Sequence, residues 1–554
     1  CMKNKNIWLI ALVFILGLIF RLLFLDKAGG LSYDELVSFK QASQSNALST
    51  IYYTLKTDVH MPLYQLFLHW WAKIFSLSDL SLRAFSAFCG ILTIITGFYT
   101  GRELPPPRTS ILCASLFAIN SFFIYYSQEV RMYSLLILLS SLTVLFIVKI
   151  KNNPENRWTY TALVITCFAL IHTYTIAFIY VIALILTVFV YLYLQKQPLK
   201  HLRNAIFTLI ILCIPVCLFL FINSAKYTNQ INGYYCDWSS LFIVIQDMFT
   251  PVLESLANNQ PHYMHLFFTT FSLSKLIFII LPVSAALFGI YTALRKDKFS
   301  YAVIAPAAVF FIAEIIAFKF TNFKILPRYA AISMPAFLII TAYGFSLISN
   351  AKKLNVIIPS IFIVLNLVYL LFSPNAAYKI PRDGFRPLAN LINQSEIQNS
   401  DFILVWNRKE VLDKYLDKKV NVISILKDFA YKSEVMAANE KQFNSLPIEK
   451  RKEILQPYFY QNNIPYNTLL LMNYIITNMQ PGQKFIVTTT ENFNDFDKEK
   501  FKHLVEDPEQ YQAASLNELL TLKSLTDIKE ICSYNLKFIE TKEASPYVIT
   551  IYSK

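Results

Sequence analysis

The sequence predicts an α-helical polytopic membrane protein with about eleven transmembrane helices, followed by a small C-terminal extracytoplasmic α/β domain. Apolar stretches near the roughly 20 residues that cross a bilayer recur from the start of the chain to about residue 372 and then stop. With 55% hydrophobic residues and a mean hydropathy of +0.43, the chain is too apolar for a soluble globule of 554 residues. Beyond residue 375 the composition turns polar, and strand-like and helix-like segments alternate.

The spans fall at 7–25, 83–100, 109–126, 132–148, 158–171, 174–194, 205–223, 273–294, 301–318, 329–349 and 355–372. The first is long, is followed by charged residues and lacks a small-residue cleavage motif, so it reads as a retained span. Basic residues then mark every second side: Lys3 and Lys5, Arg102 and Arg108, Lys149 with Lys151 and Arg157, Lys196 with Lys200 and Arg203, Arg295 with Lys296 and Lys298, and Lys352 with Lys353. Cytoplasmic loops carry such an excess, which places the N-terminus in the cytoplasm and makes the loop 26–82, the segment 224–272 and everything after 373 external. A net charge of +14 would also suit a nucleic-acid binder, but its concentration in these loops makes a nucleic-acid partner unnecessary. The expected setting is the cell inner (plasma) membrane, with membrane lipids as the main solvent. The modules expected are 1–374, transmembrane with the loop 26–82, and 375–554, soluble.

Within the first external loop Leu63, Leu66, Phe67, Trp70, Trp71 and Ile74 recur at helical spacing, which predicts a helix lying on the membrane with its tryptophans at headgroup level; the alternative, a short extra span over 62–78, would upset the loop-charge pattern. In the C-terminal region strands are expected at 402–406, 420–425, 484–490 and 546–552, and helices near 444–457, 465–479 and 514–523. Most of the eight cysteines lie in or beside apolar runs, as ordinary packing residues, and no disulfide framework stands out.

Ionisable groups at the ends of spans are costly to bury and therefore mark function. On the external side these are Asp34 and Glu35, Asp58 and His60, Arg83, Glu129 and Arg131, His172 with Tyr174, and Arg328 beside Tyr329. Two acidic motifs lie close in sequence, and arginines return from other spans. A carboxylate can take the proton of a hydroxyl acceptor, and arginines can hold a phosphate by paired hydrogen bonds. A phosphate leaving group then needs charge neutralisation rather than a general acid. Asp34 and Glu35 would equally suit a solvated helix start, Arg83 a snorkelling anchor, and Glu129 with Arg131 a local ion pair.

The ordered set Asp34-Glu35, Ser81-Leu82-Arg83-Ala84-Phe85-Ser86, Glu129-Val130-Arg131-Met132-Tyr133 and Pro327-Arg328-Tyr329 with Pro335 resembles the GT-C glycosyltransferases of the protein O-mannosyltransferase and lipid A aminoarabinose transferase group, a glycosyltransferase family 39-like pattern. The resemblance spans roughly residues 7–372. It implies a GT-C-like catalytic module and an inverting glycosyltransferase, a hexosyl- or pentosyl-transferase that uses a polyprenyl-phosphate-linked sugar donor and a lipid, glycan or protein acceptor. It further implies Asp34 and Glu35 as the catalytic residues, Asp34 being the base, with Arg83 ordering the site and Arg131 and Arg328 at the donor phosphate. Asp58, His60, Glu129, Tyr133, His172 and Tyr329 are the candidates for acceptor or sugar binding. His60 stands where relatives carry a second acidic or lysine-containing motif before proline, which leaves a divalent metal open; His60, or His262 with His265, would be its histidine ligands. A lipid-linked-sugar transporter or flippase, or a non-catalytic membrane anchor for the C-terminal domain, are the rival readings. The clustering of charge at one face and the lack of repeats count against the transporter.

Overall fold

The computed structural model describes residues 4–27, 29–58, 60–222, 273–296, 300–321, 327–348, 354–373, 376–379, 385–405, 412–424, 466–490, 525–544 and 547–554. They form two compact units, one of residues 1–26 and 34–381, the other of 27–33 and 382–554.

The first unit is helical. Its helices are α1 (Asn4–Leu22), α2 (Tyr33–Ala42), α3 (Ala47–Thr57), α4 (Leu63–Ile74), α5 (Asp79–Arg102), α6 (Thr109–Ile119), α7 (Ser121–Tyr126), α8 (Tyr133–Asn152), α9 (Arg157–Thr173), α10 (Ala177–Leu194), α11 (Lys200–Ile222), α12 (Leu273–Lys296), α13 (Ser300–Thr321), α14 (Met334–Leu347) and α15 (Leu354–Phe372). A 3₁₀ turn at Pro327–Ala331 precedes α14. By length and apolarity Asp79–Arg102, Tyr133–Asn152, Ala177–Leu194 and Lys200–Leu218 qualify as membrane spans, and six shorter apolar helices accompany them. The chain is a multi-pass membrane protein.

Burial grades across the bundle. On α8 nearly every residue from Tyr133 to Ile150 is enclosed, whereas α11 leaves Phe207, Ile210, Ile211, Ile214 and Leu218 bare, as a lipid-facing helix does. Helix α5 packs on α6 and α8, α8 on α9, α10 on α13, and α12 on α14. The stretch 109–126, expected as one span, is divided at Asn120. Its side chain accepts the Phe123 N–H at 3.0 Å, so it caps α7 as α6 ends. The orphaned carbonyls of Phe117 and Ala118 are taken by the buried Arg21 guanidinium at 2.9 and 3.1 Å. In return Gln128 donates to the carbonyls of Phe20, Arg21 and Leu23, closing the end of α1. This exchange fixes the segment 127–132 that leads into α8.

Helices α12 and α14 meet backbone to backbone. A β-carbon on Gly344 would overlap the carbonyl oxygen of Ala285, and one on Gly289 would lie 2.8 Å from the Ile340 oxygen. Gly344→Leu is therefore expected to force the pair apart. The expected result is a lower thermal unfolding temperature in detergent, of the order of a 1–3 kcal/mol overpacking penalty or more. An unchanged unfolding temperature would refute this close packing.

Among the described residues the segment 26–82 carries three short helices. Ser49 N–H bonds to the Asn46 side chain at the start of α3, and Ser81 N–H to Ser78 at the start of α5. Helix α4, with 12 residues, is too short to cross a bilayer. It buries Tyr64, Gln65, Leu68 and His69 and exposes Phe67, Trp70 and Ile74, the division an amphipathic surface helix needs.

The second unit is built on a five-stranded sheet of β1 (Phe402–Val405), β2 (Asn421–Ser424), β3 (Lys484–Thr490), β4 (Lys537–Ala544) and β5 (Tyr547–Ser553) in the order β2-β1-β3-β5-β4. The pairs β1–β2 and β1–β3 are parallel, and β3–β5 and β4–β5 are antiparallel. Alternate residues face opposite sides. Phe402, Leu404, Phe485 and Val487 pack with Leu471, Met472 and Ile475 of the helix Tyr466–Asn478 and with Ile528 and Cys532 of a helix at 525–535. Ile403, Val405, Ile486 and Ile551 pack with Leu388, Leu391 and Ile392 of the helix Arg386–Asn393. The segment before α2 joins this unit: the Leu31 N–H donates to the Tyr415 hydroxyl at 2.6 Å and the Arg386 N–H to the Gly29 carbonyl at 3.3 Å. Strand β4 was not anticipated. It carries Lys537, Glu540, Lys542 and Glu543 at the sheet edge, and such charges keep an edge from pairing with other chains while hiding the alternation that announces a strand. The helices expected at 444–457 and 514–523 lie outside the described residues.

Candidate active site

Four chain segments converge beyond the ends of α1, α5 and α8. Helix α2 opens with Tyr33, Asp34 and Glu35, so both acids sit in its first turn, where the helix dipole favours negative charge. Successive helical residues point about 100° apart, and the two carboxylates go separate ways.

Glu35 is fully buried. Its Oε1 accepts the Arg83 Nε–H at 3.1 Å and its Oε2 accepts Nη2–H at 2.9 Å, a two-pronged pair with both side chains at 0% exposure. The Val130 N–H donates to the same Oε1 at 3.0 Å, and Arg83 Nη1 donates to the Leu25 carbonyl at 3.4 Å. One carboxylate thus ties together the end of α1, the first turn of α5 and the segment leading into α8. It is occupied by the protein and closed to a substrate.

Asp34 is open, with 46% of its side chain exposed, and its Oδ2 accepts from Arg328 Nη1 at 3.3 Å. Arg328 comes from the 3₁₀ turn before α14 and lies over the Tyr329 ring, 5.8 Å from its centroid. Burial alone would lower its basicity; Tyr133, Tyr329, Asp34 and Tyr126 around it reverse the sign and hold it firmly cationic. Arg131, buried, donates from Nη1 to the Asp34 carbonyl and to the Ser38 hydroxyl, each at 3.4 Å. There too burial opposes the charge, and Tyr133, Asp58, Asp34 and Glu129 outweigh it, so the guanidinium is held above its ordinary range. The Nε–H groups of Arg131 and Arg328 are buried and have no hydrogen-bond partner among the described residues.

The second acidic motif faces the same arginine. Asp58 caps the end of α3, and its Oδ1 accepts the His60 N–H at 3.2 Å and its Oδ2 the Gln41 Nε2–H at 3.1 Å. Burial would raise this carboxyl, but His60, Arg131, the Gln41 amide and the His60 N–H together bring it below the usual carboxylate range. The His60 ring stacks on Tyr174, with centroids 4.9 Å apart. Burial pushes the imidazole down to about 4, against the pull of Asp58 and with the help of Arg131 and Arg328, so His60 is uncharged at neutral pH.

Of the remaining candidates, Glu129 is nearly buried beside Tyr126, Tyr133 and Arg131. Tyr133 begins α8 and packs edge-on against Tyr126 at 5.1 Å. His172 bonds through Nδ1 to the Phe168 carbonyl at 2.9 Å, one turn back on α9, and stacks on the Phe168 ring. Its neighbour Tyr174 is the residue that reaches His60. Sequence reasoning passed over Ser38 and Gln41, whose signal is their spacing: at four and seven residues from Asp34 they share its face of α2. Among the described residues no three His, Cys, Asp or Glu side chains are arranged to hold a metal ion. His262 and His265 lie outside them. Asp58 and His60 alone do not make a metal site, and no step below passes through one.

Comparison with known proteins follows the same lines. Residues 59–220 match the family model described as dolichyl-phosphate-mannose-protein mannosyltransferase. None of the curated proteins matches the sequence. Among solved structures the fold is similar to that of ArnT from Cupriavidus metallidurans. The form bound to undecaprenyl phosphate gives a TM-score of 0.51 at 11% identity, covering 100% of this chain and 98% of that one. The apo form gives 0.53 at 13% identity, covering 99% and 98%. An apo oligosaccharyltransferase from Archaeoglobus fulgidus gives 0.48 at 11% identity, covering 88% and 70%. At these identities the ArnT likeness is one of fold, and the fold is the one the sequence motifs implied.

Proposed function

We propose that this chain, whose residues 59–220 match that mannosyltransferase family's model, is a GT-C glycosyltransferase that moves a sugar from a polyprenyl-phosphate carrier to an acceptor on the extracytoplasmic face of the membrane, with inversion. One observation carries the reading: a half-exposed carboxylate, Asp34, lies 3.3 Å from Arg328 and beside Arg131, and both arginines keep a buried N–H without an acceptor among the described residues. A carboxylate alone would serve many hydrolytic or binding roles. A carboxylate flanked by two cations is what displacement of a phosphate from a sugar requires. The acceptor hydroxyl gives its proton to Asp34 while its oxygen bonds to the anomeric carbon. The carbon–oxygen bond to the phosphate breaks, and its electron pair leaves with the polyprenyl phosphate, whose charge Arg131 and Arg328 neutralise. A single displacement inverts the anomeric centre. Glu35 and Arg83 take no part in proton transfer; they hold α2 against α5 and the 127–132 segment.

The extracytoplasmic placement rests on the ends of the helices. Arg83 and Arg102 stand at opposite ends of α5, about 28 Å apart at 1.5 Å per residue, close to the hydrocarbon thickness of a bilayer. The basic loops lie at the end away from the site. ArnT from Cupriavidus metallidurans was solved bound to undecaprenyl phosphate, which makes that lipid the first probe. In nanodiscs, Arg328→Met and Arg131→Met are each expected to weaken undecaprenyl phosphate binding, read by native mass spectrometry, by about 10–100-fold, the worth of a charge-assisted hydrogen bond. If the doubly substituted protein binds the lipid as tightly as the unsubstituted one, these residues do not hold the donor phosphate.

A further inference from the structure

Helix α2 carries a polar stripe that no motif marks. Asp34, Ser38 and Gln41 stand at intervals of four and three residues, hence on one face, and each meets a different segment. Asp34 meets Arg328, Ser38 accepts from Arg131, and Gln41 donates to Asp58. Ser38 and Gln41 are both fully buried. Because a carboxylate only accepts hydrogen bonds, the Gln41 amide must turn its nitrogen toward Asp58, and its Oε1 is then left buried without a partner among the described residues. That arrangement is costly for a residue that only fills space. Its return is orientation: Oδ2 of Asp58 is pinned from α2 while Oδ1 is pinned by the His60 N–H.

We propose that Gln41 is a positioning residue of the transfer site, which orients the Asp58 carboxylate so that its charge steadies the Arg131 guanidinium beside Asp34. The inference rests on the function proposed above. Among the described residues, the titratable and charged groups that act on Asp58 are His60 on its own loop and Arg131 from the segment before α8; His60 is neutral near pH 7, and Arg131 is cationic. Arg131 in turn donates hydrogen bonds to α2, at the Asp34 carbonyl and Ser38. Gln41 is hydrogen-bonded to Asp58, the Asp58 charge acts on Arg131 through space, and Arg131 bonds back to the Asp34 carbonyl.

Two measurements test this. Infrared difference titration of the full-length protein in nanodiscs, wild type against Asp58→Asn, isolates the Asp58 carboxyl. In Gln41→Met its midpoint is expected to rise by about one pH unit, because the charged form loses a hydrogen bond. Transfer is followed as release of undecaprenyl phosphate from undecaprenyl-phosphate mannose in membranes that supply the acceptor. There Gln41→Met is expected to lower turnover about tenfold in the wild-type background and to have no further effect in Asp58→Asn, since Gln41 acts through Asp58. An unmoved Asp58 midpoint, or the same fractional loss with and without Asp58, overturns the inference. Absence of transfer in the unsubstituted protein would count against the proposed function alone, because the titration reads Asp58 without substrate.

Discussion

Asp34→Asn is expected to lower sugar transfer by about 10²–10⁴-fold, the range that a positioned proton acceptor contributes, while binding of undecaprenyl phosphate persists. The substitution is isosteric, and the 46% exposed side chain supports no packing, so expression and thermal unfolding should stay near those of the unsubstituted protein. The amide removes a negative charge from beside Arg328 and Arg131. Phosphate affinity should therefore hold or rise even as turnover collapses, and this separation distinguishes a lost base from a damaged site. Turnover is read as undecaprenyl phosphate released from undecaprenyl-phosphate mannose, and binding by native mass spectrometry. Near-normal turnover would remove Asp34 from the chemistry. A parallel loss of lipid binding and unfolding temperature would mean that Asp34 is a structural helix start, the plainer role its first-turn position also allows.

The sequence disclosed the parts of this site but not their division of labour. Asp34, Glu35, Arg83, Arg131 and Arg328 stood out because ionisable groups at span ends are rare and costly. All five lie in contacts that link them: Arg83 to Glu35, Arg328 to Asp34, and Arg131 to the Asp34 carbonyl. What adjacency in sequence hides is that a helix sends Asp34 and Glu35 to different environments, one half-exposed and one sealed. Pairings between residues 48, 97 and 294 positions apart leave no local signature either. Gln41 escaped notice for a related reason: an amide attracts attention only when its carboxylate partner, 17 residues away, is seen. Fold was easier to read than site. Hydropathy repeats marked the apolar helices because lipid imposes a simple rule, whereas the break at Asn120 depends on Arg21 arriving from α1 to take the Phe117 and Ala118 carbonyls.

The buried pair of Arg83 and Glu35 gives the largest expected effect on stability. Arg83→Met leaves the Glu35 carboxylate at 0% exposure without its guanidinium, while the Val130 N–H still donates to it. Stranding one member of a buried pair costs about 3–5 kcal/mol. That is a large share of the roughly 5–15 kcal/mol by which a folded domain exceeds its unfolded state, so the variant should unfold well below the unsubstituted protein in detergent or fail to accumulate. Adding Glu35→Met to Arg83→Met removes the stranded charge, and apolar side chains of similar size should recover most of the lost stability. Transfer should stay low in the double variant. Glu35 anchors the first turn of α2 to α5 and to Val130, and a methionine pair has no directional bond with which to keep Asp34 in register with Arg131 and Arg328. Stability restored together with full activity would reduce the ion pair to packing. Stability not restored would mean that Arg83 supports the fold chiefly through the Leu25 carbonyl at the end of α1 rather than through Glu35.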